Sequence, residues 1–401
     1  MPAFYKVLGY KFVLAVTRRA VSKPQPRPVV YVGNDSSRQL CRSIAHFGLK
    51  NILVVTDKPL VALGLVDIAV QALAEHGVAT HIYDGILPDP TLSVVEAGLA
   101  ALKQQHCDGV LAFGGGSSMD SAKVIALAAA NDMSIVDCIG FNKAKKPTLP
   151  LFVIPTTAGT GSEVTLAAIL SDDETHAKMP VVDFKLIPSA AALDPVIMKG
   201  LPPHITAATG MDALTHAIES YIGQWSTEET SQYGRAATKL IFDNLQTAYE
   251  NGDDLAAREA MALGSYYAGL AFTQAMVGYV HAVSHQLGAH YNVPHGLGNA
   301  MVLPHMLELL KGAAAGKLAE LAVYSGIGTE SEPESALAQK LIDRVWELNA
   351  AIGIPKTTDV IQEQDIDAIV EAALKEGNGY PVPRFIEKSE CEALVRGLRS
   401  V

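Results

Sequence analysis

Histidines at defined offsets mark residues 278–299 as a candidate site. His281 and His285 are four residues apart, so in a helix both imidazoles leave the same face about one turn apart. His290 separates this pair from His295, which follows a proline and precedes a glycine. That setting predicts a side chain presented from a turn or a helix start into a cavity. The stretch lacks the metalloprotease signature, because no glutamate follows His281.

A second pair lies upstream, where Asp212 and His216 place a carboxylate and an imidazole on one helix face. Together the two stretches offer one oxygen and several nitrogens. This donor set suits a divalent transition metal such as Fe(II) or Zn(II), whereas Mg²⁺ or Ca²⁺ would want mostly oxygen. A single histidine is more often an ordinary core or surface residue. Two such pairs that flank an apolar helical run make a metal site an equal alternative to ordinary packing.

Three motifs carry a family resemblance. They are Asp212-x-x-x-His216, Gly278-Tyr279-Val280-His281-Ala282-x-x-His285-x-Leu287-Gly288 and Pro294-His295-Gly296-x-x-Asn299-Ala300. They closely resemble the iron-containing (group III) alcohol dehydrogenases, and the likeness covers nearly the whole chain from about Val30. The resemblance implies that the metal ligands, for Fe²⁺ or alternatively Zn²⁺, are Asp212, His216, His281 and His295. It makes His285 a nearby residue of the catalytic cleft that does not bind the metal.

The composition is that of a protein with large apolar cores. Of its 401 residues, 49% are hydrophobic and 18% are charged, which suits two domains. No stretch approaches the roughly 20 apolar residues that span a bilayer, so we expect a soluble protein. Four widely separated cysteines, Cys41, Cys107, Cys138 and Cys391, argue against disulfides or a cysteine zinc site. Reduced thiols predict a cytoplasmic location.

Charge is unevenly distributed along the chain. The formal net charge is −11, yet residues 1–34 contain six basic residues and no acid. The acidic remainder argues against binding to nucleic acid or to anionic membranes. We expect residues 1–28 to form a basic arm that packs on the domain or on a neighbouring subunit. Organellar targeting or a membrane-surface contact is the alternative for this arm.

Residues 29–198 alternate strand-like and helix-like segments, which predicts an α/β dinucleotide-binding domain. A buried strand over residues 109–113 runs into a glycine turn, residues 114–117, and a small-residue helix follows. Bare backbone N–H groups and a helix dipole in this setting hold a pyrophosphate. A plain tight turn is the alternative, since the usual G-x-G-x-x-G pattern is absent. Another buried strand leads into a hydroxyl- and glycine-rich loop, residues 155–165, that suits contacts to phosphate and nicotinamide.

The resemblance also implies which residues line an NAD groove. They are Gly115, Gly116, Ser117, Asp120, Thr156, Thr157, Thr160, Lys178 and Leu193. It places Asp57 beside the adenosine ribose, where a carboxylate favours NAD over NADP; the alternative is that Asp57 caps a helix beside Pro59. A solvated surface charge is the alternative for Lys178. Asp89 stands where the family usually has asparagine, which removes an amide donor.

Residues 199–401 predict an all-α metal-binding domain, and by resemblance the chain has a dehydroquinate synthase-like architecture. The candidate helices cover residues 204–222, 227–250, 254–275, 278–290, 298–310, 314–324, 332–352, 366–375 and 388–398. Near the end, residues 378–384 resemble a family turn beside the substrate cleft, with Tyr380 in place of a small residue. Tyr266, Phe272 and Tyr279 are expected in the core, although some could line the pocket.

By resemblance, the expected activity is metal-dependent, NAD-linked interconversion of small primary alcohols and aldehydes by hydride transfer, in a homodimer or larger homo-oligomer. His285 is the candidate for relaying the proton, either directly or by positioning another group. Alternatives in the superfamily are a diol or lactaldehyde reductase and a hydroxyacid–oxoacid transhydrogenase. A dehydroquinate-synthase-like lyase would need more basic residues near the motifs. A hydrolase or a metal-binding protein without enzymatic activity would need no nucleotide site.

Overall fold

A computed structural model describes residues 25–175 and 177–400, together with residues 14 and 18. Most of the basic arm expected at residues 1–28 therefore lies outside the described residues. Among the described helices, none is long and apolar enough to cross a membrane. The chain folds as two compact units. The α/β unit combines Gln25–Leu201 with Asp253–Ala262, and the helical unit contains Pro202–Gly252 and the chain from Leu263 onwards.

Two sheets form the centre of the α/β unit. Their strands are β1 (Val29–Val32), β2 (Asn51–Val55), β3 (Ala79–Tyr83), β4 (Gly109–Gly114), β5 (Gly140–Phe141), β6 (Leu151–Pro155), β7 (Ala167–Ser171), β8 (Lys178–Val182) and β9 (Ala190–Leu193). The larger sheet is parallel, in the order β1-β9-β6-β4-β2-β3. The smaller sheet has the order β5-β8-β7, with β7 antiparallel to β8.

The register of the larger sheet brings three strand ends together. Ile52 of β2 pairs with Gly109 of β4, and Val110 of β4 pairs with Leu151 of β6. The carboxyl ends of these parallel neighbours therefore lie side by side, at the edge where open α/β sheets bind their ligands. Every residue of β4 and β6 is buried, as expected for strands covered on both faces.

Helices connect and cover the strands of this unit. They are α1 (Ser36–His46), α2 (Lys58–Ala62), α3 (Asp67–Ala74), α4 (Leu92–Gln104), α5 (Gly116–Asn131), α6 (Ile135–Cys138) and α7 (Pro195–Met198). Leu53 and Val110 belong to one apolar cluster and Ile52 and Leu111 to another, because alternate residues of a strand face opposite sides of the sheet. The sheet thus separates two cores.

The helical unit confirms the predicted all-α class. Its helices are α8 (Pro203–Ile222), α9 (Glu228–Glu250), the greater part of α10 (Leu255–Ala275), α11 (Tyr279–Tyr291), α12 (His295–Tyr324), α13 (Glu334–Ala351), α14 (Ile366–Gly377) and α15 (Lys388–Gly397). Over the described residues of this unit the structure assigns no β-strand. The helices that carry the candidate metal ligands are α8, α11 and α12.

One predicted helix boundary is wrong. The sequence predicts separate helices over residues 298–310 and 314–324, but α12 is one continuous helix of 30 residues. A glycine such as Gly312 costs a helix interior about 1 kcal/mol relative to alanine. The buried side chains of Leu310 and Ala314 on either side keep the helix packed, and their burial outweighs that cost.

The helix that carries His281 and His285 is separate from the one before it. Met276 has φ of 62°, a left-handed conformation that ends α10 and starts a short link. α11 then begins at Tyr279, so both histidines lie on one helix with the spacing that the sequence predicts. Asn292, also left-handed with φ of 54°, ends α11 just before His295.

Candidate functional site

Four of the predicted site residues meet at one point in the helical unit. Asp212, His216, His281 and His295 each offer one ligand atom, and these atoms all lie within 4.8 Å of one another. Oδ1 of Asp212 is 3.3 Å from Nε2 of His295. The same oxygen is 3.8 Å from Nε2 of His281 and 4.0 Å from Nε2 of His216. One carboxylate and three imidazoles in this arrangement fit a divalent transition metal.

Three helices position the four side chains. Asp212 and His216 lie one turn apart on α8, His281 lies in the first turn of α11, and His295 is the first residue of α12. The first three residues are at most 5% exposed, whereas 41% of the His295 side chain is exposed. We refer to these four candidate ligands as the metal cluster. Its accessible side is therefore the side at His295.

Glu219 orients His281. Its Oε2 atom is 2.6 Å from Nδ1 of His281, and its carboxylate accepts hydrogen bonds from the backbone N–H groups of Gly278 and Val280 at 2.8 and 2.7 Å. Burial raises the pKa of Glu219 to about 7, against these bonds, which lower it. Burial and the neighbouring imidazoles hold the pKa of His281 well below its usual value. A neutral His281 that donates from Nδ1 turns the lone pair of Nε2 toward the cluster.

Asp212 is ionised in spite of its burial. Burial alone would raise its pKa, but the imidazoles of His216 and His295 and a hydrogen bond with His295 hold the pKa well below its usual range. The side-chain amide of Asn299 donates to Oδ1 of Asp212 at 2.7 Å and lies 3.2 Å from Nε2 of both His281 and His295. Asn299 belongs to a sequence motif, but its hydrogen bond with Asp212 is visible only in the structure.

His285 lies beside the metal cluster and outside it. Its ring stacks on His295, with centroids 5.2 Å apart and an interplanar angle of 20°. Nδ1 of His285 is 2.6 Å from Oε1 of Glu376, and the hydroxyl of Tyr380 donates to the same oxygen at 2.8 Å. Sequence reasoning assigned no role to Glu376 or Tyr380. With a proton on Nδ1 held by Glu376, His285 keeps Nε2 as an acceptor.

The three aromatic residues expected in the core differ in their surroundings. Phe272 stacks on His216 with ring centroids 4.1 Å apart, so it contacts the metal cluster directly. Tyr279 is fully buried, and its hydroxyl donates to Asn378. Tyr266 is partly buried. Tyr279 is therefore a core residue, whereas Phe272 shapes one side of the cluster.

In the α/β unit, the glycine turn meets the hydroxyl-rich loop at the carboxyl edge of the larger sheet. β4 ends at Gly114 and α5 begins at Gly116, with no side-chain cap on the helix. A Cβ atom at Gly116 would lie 2.7 Å from Cγ2 of Thr160, and one at Gly115 would lie 3.4 Å from Oγ1 of Thr157. The turn and the loop are in contact, next to the unpaired N–H groups that begin a 16-residue helix. This arrangement favours an anionic ligand such as a pyrophosphate.

Asp57 caps α2, as the alternative interpretation of the sequence predicts. Its Oδ1 atom accepts from the N–H of Leu60 at 2.9 Å. Burial raises the pKa of Asp57, whereas this bond lowers it. Asp57 follows β2, so it shares the sheet edge with Ser117 in the first turn of α5 and with the buried Thr156 that follows β6. A contact of Asp57 with a ribose stays a prediction.

Lys178 and Leu193 have protein contacts of other kinds. Nζ of Lys178 is 2.5 Å from Oδ1 of Asp89, at a position where the lysine side chain is 38% exposed. The side chain of Leu193 is fully buried at the end of β9, and its carbonyl accepts from the N–H of Gly33 at 3.2 Å. Their contact with a cofactor stays a prediction.

Asp120 and Lys123 fasten the loop that follows β6. Oδ1 of Asp120 accepts from the hydroxyl of Ser162 at 2.6 Å. Lys123, one turn later on α5, donates to Ser162 Oγ, Thr165 Oγ1 and the carbonyl of Ala167 at 2.7, 2.9 and 2.8 Å. Sequence reasoning missed Lys123. The sequence feature that could have indicated this role is a lysine within a helix of small residues, most of which are buried.

Comparison with known proteins decides the family. The model for "Iron-containing alcohol dehydrogenase" matches residues 27–195, and the model for "Fe-containing alcohol dehydrogenase family, C-terminal" matches residues 206–398. The chain belongs to the iron-containing alcohol dehydrogenase family. The match extends over both units and includes all four residues of the metal cluster.

Individual relatives match most of the chain. Alcohol dehydrogenase 4 of Schizosaccharomyces pombe is 37% identical over 385 residues, which cover 94% of this chain and 90% of the relative. The NAD-dependent methanol dehydrogenase of Bacillus methanolicus is 37% identical over 371 residues, with coverages of 92% and 97%. A crystal structure of 1,3-propanediol oxidoreductase superposes with a TM-score of 0.90 at 37% identity, covering 93% and 98%. The predicted family, fold class and oxidoreductase class are thereby confirmed.

Gly296 allows α12 to begin close to α8, and a substitution there tests the geometry. A Cβ atom at Gly296 would lie 2.2 Å from the carbonyl oxygen of Ala208, so the backbone must shift. We expect Gly296→Ala to destabilise the protein by about 1–3 kcal/mol and to move His295 out of the cluster. Thermal unfolding and the metal content per subunit measure the two effects.

The matched control is Gly312→Ala on the same helix, where an added Cβ meets no atom within 4 Å. This change should stabilise the protein by about 0.5–1 kcal/mol and leave the metal content unchanged. A Gly296→Ala protein as stable as the unsubstituted one would contradict the close approach of the two helices.

Proposed function

We propose that this iron-containing alcohol dehydrogenase family member interconverts small primary alcohols and aldehydes with NAD and a divalent metal. The observation that carries the proposal is the cluster of one carboxylate and three imidazoles within 4.8 Å. The similarity to an NAD-dependent methanol dehydrogenase and to 1,3-propanediol oxidoreductase supports NAD and a small alcohol. Fe²⁺ is the proposed metal and Zn²⁺ the alternative, because the donor set accepts both.

The proposed metal ligands are Asp212, His216, His281 and His295. When bound, the metal supplies Lewis acidity that favours loss of the alcohol proton, and NAD⁺ supplies the hydride acceptor. The ionised Asp212 contributes the negative charge of the ligand set. Glu219 keeps Nε2 of His281 directed at the proposed metal position. An alcohol approaches at the exposed His295.

His285 is proposed to hold and pass on the proton of the alcohol at its Nε2 atom. The hydrogen bond between Nδ1 and Glu376 fixes the ring, and stacking places it against His295 at the accessible side of the cluster. Its side chain is 32% exposed, so a proton taken up there can be transferred to water. Such a group contributes about 10²–10⁴-fold to a rate.

NAD is proposed to bind at the carboxyl edge of the larger sheet. The N–H groups of Gly115, Gly116 and Ser117 at the start of α5 bind the pyrophosphate, and the threonines of the loop supply hydroxyl groups. Asp57 faces the ribose, where its carboxylate repels a 2′-phosphate. Asp120 acts through the loop, since both of its oxygens already accept hydrogen bonds from the protein.

A substrate panel tests the proposal as a whole. Purified protein loaded with iron or with zinc is assayed with methanol, ethanol, 1,3-propanediol and lactaldehyde, each with NAD(H) and with NADP(H). We expect turnover with NAD(H), and the preferred substrate distinguishes an alcohol dehydrogenase from a diol or lactaldehyde reductase. A homodimer or larger homo-oligomer in the cytoplasm stays a prediction. Absence of NADH binding and of turnover with every substrate would contradict the proposal.

Substitution of three histidines separates metal binding from proton transfer. His281→Ala and His295→Ala each remove one donor of the cluster and should lower metal content and activity together. His285→Ala should retain the metal and lose about 10²–10⁴-fold in rate. Metal analysis beside kinetics of the three purified variants measures this. A metal-free His285→Ala protein with a metal-replete His281→Ala protein would show that the two roles are exchanged.

Two carboxylates in similar bonds provide a second comparison. Glu219 and Glu376 each lie 2.6 Å from Nδ1 of a histidine, but only the partner of Glu219, His281, is a proposed ligand. Glu219→Gln should lower metal affinity by about 10–100-fold, because the hydrogen-bonded partner of a metal-bound imidazole orients it and raises its basicity. Glu376→Gln should leave metal affinity unchanged and lower the rate. Equal losses of metal affinity in competition with a chelator would contradict these assignments.

Asp57 should determine the choice of cofactor. A 2′-phosphate beside its carboxylate is repelled, so the unsubstituted enzyme should use NAD(H) far better than NADP(H). Asp57→Asn retains an acceptor for the helix cap and removes the charge, so it should improve kcat/KM for NADP relative to NAD by roughly tenfold. Asp57→Ala, the control, should in addition lose about 1 kcal/mol of stability with the cap. Equal use of both cofactors by the unsubstituted enzyme would contradict the assignment.

A further inference from the structure

Lys123 is a buried cation that the proposed chemistry does not use. Its side chain is fully buried on α5, two turns after Gly116. Burial lowers the pKa of Lys123 to about 8, although Asp120 and Glu163 oppose that shift. Moving an ammonium group out of water is strongly unfavourable, and an apolar side chain would fill the same space without that penalty. The bonds of the ammonium group, rather than its volume, must account for a lysine here.

Each of those bonds is made to the chain that follows β6. The acceptors are Ser162 Oγ, Thr165 Oγ1 and the carbonyl of Ala167, at 2.7, 2.9 and 2.8 Å. An ammonium group has three donors, so all three are used. Ser162 donates its own hydroxyl proton to Asp120 at 2.6 Å, so it is oriented to accept from Lys123. Asp120 and Lys123 of α5 thus hold the chain after β6 by several hydrogen bonds.

Further contacts connect the loop to the glycine turn. The N–H of Ser162 donates to Oγ1 of Thr160 at 3.3 Å, and the methyl group of Thr160 lies against Gly116. Between Thr160 and Ser162 stands Gly161, with φ of 61°. Glycine backbone has little stiffness of its own, so the loop depends on its anchors for a single conformation.

We propose that Lys123 is a positioning residue for the cofactor. Lys123 fixes residues 156–165 against the glycine turn before NAD binds. The inference rests on the proposed use of NAD. A loop that is already ordered loses less conformational entropy on binding, and the affinity for the cofactor is correspondingly higher. Lys123 acts through Ser162 and touches neither cofactor nor substrate.

The test compares Lys123→Met with Leu127→Ala. Leu127 is fully buried one turn further along α5 and contributes to the apolar core without a side-chain bond to the loop. Both variants should lose stability in thermal unfolding. Only Lys123→Met should raise the Kd for NADH, measured by fluorescence, and the KM for NAD, by about 10–100-fold, the effect expected from loss of charged hydrogen bonds. Its kcat at saturating NAD should stay nearly unchanged, as for a loss of ground-state binding.

A double-mutant cycle with Ser162→Ala shows whether Lys123 acts through that hydroxyl. The Lys123→Met/Ser162→Ala protein should bind NADH no more weakly than the weaker single variant. Additive losses, or an unchanged Kd in Lys123→Met, would overturn the inference. If Lys123→Met does not fold, Ser162→Ala decides alone, and an unchanged Kd overturns it. An unsubstituted protein that does not bind NADH would overturn the proposed function itself.

Discussion

A buried negative charge holds the helical unit in its arrangement. An ionised carboxylate inside a protein is strongly unfavourable unless donors or cations surround it. Asp212 lies beside His216 of its own helix α8, His295 at the start of α12 and the donating amide of Asn299, and His281 of α11 completes the cluster. The negative charge of Asp212 is therefore compensated only when these three helices pack in this arrangement. A shift of any one helix leaves the carboxylate without part of its partners.

Helix α11 shows how one helix face provides two different imidazoles. His281 and His285 are one turn apart, and each has Nδ1 at 2.6 Å from a glutamate. Glu219 is buried and also binds backbone N–H groups at the start of the helix, which ties His281 to the backbone itself. Glu376 is partly exposed and is shared with Tyr380. One histidine is thus rigidly held, whereas the other is connected to groups nearer to water.

Local features of this chain can be read from its sequence, and long-range pairings cannot. Strand and helix positions follow hydrophobic periodicity. Helical spacing indicates the two pairs of candidate ligands, and the resemblance of the motifs to a family supplies the full set of four. The continuity of α12 through Gly312 was not predictable, because the residues that offset the cost of this glycine pack against other helices. Glu219 and Lys123 were missed because 62 and 39 residues separate them from His281 and Ser162. Only tertiary packing brings such partners together.

The uneven exposure of the metal cluster has a kinetic consequence. Asp212, His216 and His281 are enclosed, so an ion at the proposed site would enter and leave at His295. At the proposed ligands, the buried donors would determine how tightly an ion is held, and the exposed imidazole would be the one most accessible to exchange. Exchange between ions would then depend on a single side chain at a helix start. The metal found in a given preparation would record the ions present during folding and purification as well as any preference of the ligands.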